Sequence, residues 1–553
     1  MSHRFSLILI VAFIGFLPLG AEEPAYDLVI RNGRIVDGTG NPWFIGDVAI
    51  RGDRIVAVGR VQAAKARREI DAKGLVIAPG FIDMHSHSDD LLLEDGNAQS
   101  KIRQGVTTEV LGEGRSVGPN QGQLAPRRAL IRGEPASWTT LTGYFDTLQK
   151  SGSSVNVATY AGIDNIWESV MGRAHTRPTP GQFEQMEALV NEAMKEGAFG
   201  LSTMLAMPPG ALATTDDLVA LCRPVARHGG IYSTHNRHEG VDVFTAVKEA
   251  IAIGERAGIP VDVIHLKIAD QKLWGRMNEL VALIENARQR GVNVQANVYP
   301  YTRGNNDLSS IIPPWAHEGG TAEMLKRLRD PEQRARMKKE IRDGLPGWYN
   351  HFTAVGGDWS RMLVSGKGNY EGLTVDRIFA TRPERPKDDL DSFFDLLIEQ
   401  GGSVPTVYAH HTEADMQLAL QQPWCSIGSD GSALAVEGRL RRGNPHPRSF
   451  GTFPRVLGVY VREKKLLRLE DAVRKMTSLN AAKLGITDRG LLRPGLFADL
   501  TVFDPERVID RATYERPFQY PLGIDYVIVN GQLVLDREKH TGARPGVALR
   551  HAP

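Results

Sequence analysis

The stretch APGFIDMHSHSDD carries two histidines, His85 and His87, at the end of an apolar, glycine-punctuated run from Leu75 to Ile82. Residues i and i+2 of a β-strand point to the same side, so both imidazoles can face one metal ion. Taken alone, the pair fits a surface loop as well as it fits a ligand set. Two further histidines break the tie: His235 ends GIYSTH, and His265 lies near the end of PVDVIHLK, both apolar strand candidates. Four histidines at the carboxyl ends of the first, fifth and sixth strands of one barrel would converge on its mouth, where chemistry collects in parallel α/β proteins. Imidazole nitrogen with few sulfur ligands suits zinc. Asp430, in WCSIGSDG, follows another apolar strand and lies between Gly428 and Gly431. Its simplest reading is an Asx-turn. Beside a metal site at the same mouth, however, a carboxylate can take a proton from water as general base and return it to a leaving amine.

The elements that must position these residues are of two kinds. LVIRNGRIVDG, GDVAIRGDRIVAVG and REIDAKGLVI near one end, and FADLTVFDPE and IDYVIVNGQLVLD near the other, alternate apolar and polar residues around NG, DG and RGD turns. They predict hairpins from both termini that complete one small β-sandwich, over residues 22–75 and 486–553. Between them, over residues 76–485, short apolar strands alternate with longer helical segments such as PGQFEQMEALVNEAMKEG. That rhythm predicts an α/β fold with a parallel sheet closed as a (β/α)8 TIM-type barrel. There is one strand candidate more than eight, and the surplus is VYAHH or VYPY. The charged helical region at about 315–387 breaks the rhythm and reads as an insertion, either a lid over the mouth or a solvent-exposed excursion.

With 553 residues, 42% of them hydrophobic and 24% charged, the chain can bury more than one core. A formal net charge of +1, from 66 basic and 65 acidic residues, creates no global field for nucleic acid or an anionic membrane. A small-molecule partner is expected instead. At the N-terminus, His3 and Arg4 precede an apolar run from Leu7 to Leu19, then Gly20 and Ala21. Residues 1–21 therefore predict a secretory signal peptide and a periplasmic or secreted protein free of the membrane after cleavage, with an uncleaved anchor as the alternative. The two cysteines, Cys222 and Cys425, provide neither a disulfide framework nor a Cys-rich zinc site and read as buried thiols.

The constellation of HxH, two single histidines and a late Asp resembles that of the amidohydrolase superfamily. Within it, GVTTEVLGEG, EAMKEGAFGLST, YSTHNRHEG, VIHLK, VYPYT, IGSDG and NPHPRSFGTFPRVLGVYVRE resemble the N-acyl-D-amino-acid deacylase family along most of the chain. The resemblance implies a metal-dependent hydrolase with one or two zinc ions, His235 and His265 holding the tighter one and His85 and His87 a neighbouring site. It implies Asp430 as the catalytic base. Its substrates are N-acyl-D-amino acids, whose free carboxylate would be met by Lys267, Tyr299 and Arg448; Arg suits bidentate capture of such a group. A dipeptidase or a dihydropyrimidinase-like cyclic-amide hydrolase of the same superfamily is the alternative.

The chain also departs from the family. Where many deacylases carry GNCG with a cysteine ligand, this chain has Gly112, Glu113 and Gly114. Glu113 is expected to replace that ligand, because a carboxylate can join two cations; a role behind the ligands is the other reading. Ile163 stands where the family often has His, and Asn297 where it usually has Asp. Met204, Ala206 and Met207 replace glycine and aromatic residues, and the loop from Ser432 to Asn444 is longer and carries Arg439, Arg441 and Arg442.

Overall fold

The computed structural model describes residues 25–551 apart from 63–64, 132–133 and 383–385. The expected signal peptide lies outside the described residues. Eight short, mostly fully buried strands run parallel in two ladders, Phe81–Asp83, Val106–Leu111 and Asn156–Thr159 in one, and Ala161–Gly162 (continuing the third strand), Gly200–Met204, Ile231–His235, Val261–Val263, Val294–Val298 and Cys425–Ile427 in the other. A parallel bridge between Ser86 and Gly431 brings the end of the eighth strand beside the end of the first. Helices cover the outside. The one at Pro180–Lys195 starts at a Thr179–Gln182 capping box with Pro180 in its first turn, and buries Met186, Val190, Ala193 and Met194 on one face.

The strand surplus resolves on VYAHH. Pro405–Tyr408 pairs antiparallel with Gly304–Asp307 and Met362–Val364 in a separate small sheet. That sheet belongs to a region with its own core, running from Leu308 to Tyr408 and including Trp359, Phe379, Phe393 and Phe394. The insertion is therefore a packed subdomain rather than a solvated excursion. Apolar alternation could not distinguish its strands from barrel strands, because both bury their apolar residues.

The two ends of the chain meet in one nine-stranded mixed sheet. Val76–Pro79, immediately before the first barrel strand, pairs antiparallel with Leu500–Phe503. The signature NG turn at Asn530–Gly531 joins two of its strands, with φ of 46° and 78° as a type I′ turn requires. No helix among the described residues is long and apolar enough to cross a membrane.

A buried lysine fastens the barrel seam. Lys101 is fully buried, and its Nζ donates to Asp83 Oδ2 at 2.7 Å, Ser429 Oγ at 2.9 Å, Ser86 Oγ at 3.0 Å and the Gly431 carbonyl at 3.0 Å. These acceptors come from the end of the first strand and from the segments just past the first and eighth strands, which also carry His85, His87 and Asp430. Replacing Lys101 with Met leaves the Asp83 and Glu109 carboxyls buried without their cation. We expect a loss of about 3–5 kcal/mol of stability, measured as a lower denaturant midpoint; an unchanged midpoint would contradict this role.

Candidate metal centre

All four histidines and Asp430 converge at the C-terminal end of the barrel. His85, His235, His265 and Asp430 are buried, while the His87 side chain is 39% exposed toward the cleft. Their positions depend on backbone that the sequence does not announce. His265 and Asp430 sit at φ of 39° and 52°, in the left-handed region that non-glycine residues seldom occupy and that tends to be retained at functional sites. Hydrogen bonds hold both: His265 N–H donates to Asn297 Oδ1 at 3.0 Å, and Asp430 N–H to the His85 carbonyl at 2.8 Å. Gly428 makes room between them, since a Cβ there would lie 2.8 Å from the His85 Cβ and 3.0 Å from Asn297 Oδ1.

Glu113 occupies the middle. Its Oε1 lies 2.7 Å from His235 Nδ1 and 3.8 Å from His265 Nε2; its Oε2 lies 2.7 Å from His85 Nε2 and 3.0 Å from His87 Nε2. One carboxylate oxygen thus faces each histidine pair. Candidate ligand atoms of His85, His87, Glu113 and Asp430 all lie within 4.8 Å of one another, and so do those of Glu113, His235 and His265.

The electrostatics suit a cation. Burial works to raise the Glu113 carboxyl, yet His85, His235 and His87 hold it well below the usual carboxylate range. Against burial, Asp430 and Glu113 raise His87 to about 10, and Glu239 and Glu113 raise His235 to about 9. The carboxylates therefore draw positive charge into the centre. His265 is pushed down to about 4 by burial and by Lys267 and is neutral, whereas an ion bound at His87 and His235 would have to displace their protons. His85 Nδ1 and His235 Nε2 are buried without hydrogen-bond partners. This donor set, imidazole nitrogens around a shared carboxylate, fits one or two divalent metal ions of the zinc type.

Asp430 lies between the candidate ligands and Arg448. Its Oδ1 is 3.0 Å from His87 Nε2, and its Oδ2 is 2.6 Å from Arg448 Nη1. Burial favours its neutral form, but Arg448 and His85 overcome this and keep it ionised. Arg448 stacks over the Tyr299 ring at 5.0 Å, and the Tyr299 hydroxyl is buried with no hydrogen-bond partner. Lys267 is buried behind the centre, where its Nζ donates to Glu239 Oε1 at 2.6 Å and meets His265 Nδ1 at 2.7 Å. Glu239 is a functional candidate that the sequence reading missed. Its only signal was its place four residues after His235 in YSTHNRHEG.

These groups open into a cleft of about 620 Å³, lined by His87, Glu113, His235, His265, Asp430 and Arg448 among others. Asn305, Ser365 and Lys367 of the inserted subdomain form one wall. Besides Glu113, the departures Met204 and Arg442 line it; Arg442 pairs with Glu94 at 3.2 Å. Ile163, by contrast, is core, and the next residue, Asp164, reaches the cleft. Asn297 acts behind the centre: besides accepting from His265, its Nδ2 donates to Asp262 Oδ2 at 2.7 Å. Both cysteines are fully buried, with Cys425 pushed up to about 11 by burial, so neither is a ligand or nucleophile here.

Comparison with known proteins agrees with this geometry. The amidohydrolase family matches residues 68–341 and 407–535. The D-aminoacylase of Alcaligenes xylosoxydans xylosoxydans is 35% identical over 542 residues, covering 96% of this chain and 98% of that protein. The crystal structure of N-acyl-D-glutamate deacylase from Bordetella bronchiseptica, complexed with zinc and a phosphonate mimic of the tetrahedral intermediate, superposes with a TM-score of 0.78 at 32% identity, covering 95% of this chain and 99% of that one. A D-aminoacylase structure described for its binuclear metal centre has a TM-score of 0.78 at 34% identity, covering 95% of this chain and all of the other.

Proposed function

This chain belongs to the amidohydrolase family, and from that premise we propose that it is a zinc hydrolase that deacylates N-acyl-D-amino acids to a carboxylate and a free D-amino acid. The observation that carries the reading is Asp430, an ionised carboxylate placed between the histidine cluster and Arg448. His235, His265 and Glu113 would hold one metal ion, and His85, His87 and Glu113 a second. Bound there, zinc supplies positive charge that polarises an amide carbonyl and acidifies water.

The chain's own groups then divide the work. Asp430 takes the water proton and returns it to the amide nitrogen as the C–N bond breaks. Arg448 presents a guanidinium to the substrate carboxylate, with Tyr299 beneath it. Arg448 also helps to hold Asp430 ionised, the form that can accept a proton. Lys267 contributes from behind His265, its ammonium joining Glu239 to the histidine. The N-terminal apolar run supports export to the periplasm or medium; an enzyme recovered with Met1 intact in the cytoplasm would remove that part.

The test is metal analysis of the purified enzyme together with a hydrolysis panel of N-acetyl-D- and N-acetyl-L-amino acids, dipeptides ending in a D-residue, and hydantoins. We expect one or two zinc ions per chain and turnover of linear D-substrates that a chelator abolishes. Turnover confined to L-substrates or to rings would overturn the deacylase reading in favour of a dipeptidase or cyclic-amide hydrolase.

A further inference from the structure

Asp164 is a carboxyl of the same cleft that the proposed reaction does not use. It is the second residue of the helix Ile163–Met171, is only 6% exposed, and lines the cleft. Its Oδ1 is buried and accepts no hydrogen bond. Its backbone N–H donates to the Gly114 carbonyl at 2.9 Å, which fixes it relative to neighbouring Glu113. The Gly210 backbone N–H reaches this carboxyl, and a Cβ built on Gly210 would stand 3.5 Å from Oδ1. Among the described residues no cation lies within ion-pair distance of Asp164; the nearby Arg115 is engaged by Glu168 at 2.7 Å.

The barrel decides which part of a substrate would reach it. Arg448 stands beyond the eighth strand, beside Asp430, whereas Asp164 follows the third strand and packs against Gly210, just past the fourth. In an eight-stranded barrel the fourth strand faces the eighth across the mouth. A substrate whose amino-acid carboxylate meets Arg448 and whose amide sits at the Glu113 centre therefore directs its acyl group toward Asp164. Burial pushes the Asp164 carboxyl up to about 7 despite Arg115 and the Gly210 N–H, so a cation that reaches its free oxygen would draw it into the ionised form.

We propose that Asp164 receives a protonated amine carried on the acyl part of the substrate, so that an α-aminoacyl group, as in a dipeptide ending in a D-residue, is the preferred acyl group. This rests on the deacylase reading above. The bond broken is the same amide C–N: the hydroxyl of water joins the acyl carbon, its proton goes to the nitrogen, and two free amino acids leave with the ammonium unchanged.

The experiment compares the glycyl and propionyl derivatives of the D-amino acid that the hydrolysis panel ranks first. The two acyl groups have the same shape and differ in an ammonium against a methyl. We expect wild-type kcat/KM for the glycyl compound to exceed that for the propionyl compound by about tenfold or more, as a charge-assisted contact allows. In Asp164→Asn that preference is expected to vanish, chiefly through a higher KM for the glycyl compound. A carboxyl serving only its helix N-terminus would alter both substrates alike. Equal turnover of the two by the wild type, or a ratio unchanged in Asp164→Asn, would overturn the proposal. Should that variant not fold, the wild-type ratio alone still decides. A panel in which no linear D-substrate is cleaved would instead refute the deacylase reading, and this inference with it.

Discussion

Asp430→Asn is expected to fold, retain its metal and lose turnover by about a thousandfold or more, toward the upper end of what a positioned general base contributes. Asparagine keeps the shape of the side chain and the backbone N–H bond to the His85 carbonyl. It removes the two properties that matter, the negative charge and the capacity to take a proton. His85, His87, Glu113, His235 and His265 remain intact, so both sites keep their histidines and the shared carboxylate, and the one candidate donor altered is Asp430 itself. Metal content, circular dichroism and steady-state kinetics on the best N-acyl-D-amino acid read the three parts of this expectation separately. A metal-loaded variant with near-wild-type kcat would remove Asp430 from the proton transfer. Loss of metal along with activity would make it a ligand first.

Glu113→Gln tests the other half of the site. In the wild type each Glu113 oxygen faces one histidine pair, with imidazole nitrogens at 2.7 Å on both sides. The amide keeps one oxygen and turns an NH2 donor toward the other pair, which opposes any cation held there and removes the negative charge that both sites share. We expect at least one metal equivalent to be lost and apparent metal affinity to fall by more than about 100-fold. A residue acting only behind the ligands typically costs about 10–100-fold. Titration with zinc against a competing chelator measures the difference. Unchanged metal content and rate would show that the carboxylate neither binds nor bridges.

Much of the architecture was legible because buried parallel strands and amphipathic helices have distinct periods. Seven of the strands after the first were recognisable as apolar runs, and the helix at Pro180–Lys195 carries its capping box in plain sequence. VYAHH was harder, since a strand of the inserted subdomain is as apolar as a barrel strand. The histidine positions were legible together rather than singly: HxH alone fitted a surface loop as well, and His235 and His265 at later strand ends broke the tie. Glu239, Lys101 and Asp164 were not, because each matters only through partners contributed by distant segments.

The sequence by itself determined the donor types, their attachment to strand ends and the family likeness, all of which are local or patterned along the chain. Only the tertiary structure decided what those donors face. It set Glu113 between the two histidine pairs, engaged Lys267 with Glu239 rather than leaving it open to the cleft, and put Asp164 rather than Ile163 at the cleft wall. The physical reason is that side-chain distance and burial arise where strand ends from distant segments meet. The Ser86–Gly431 bridge and Lys101 join the ends of the first and eighth strands, and His265 and Asp430 take backbone conformations that no local pattern encodes.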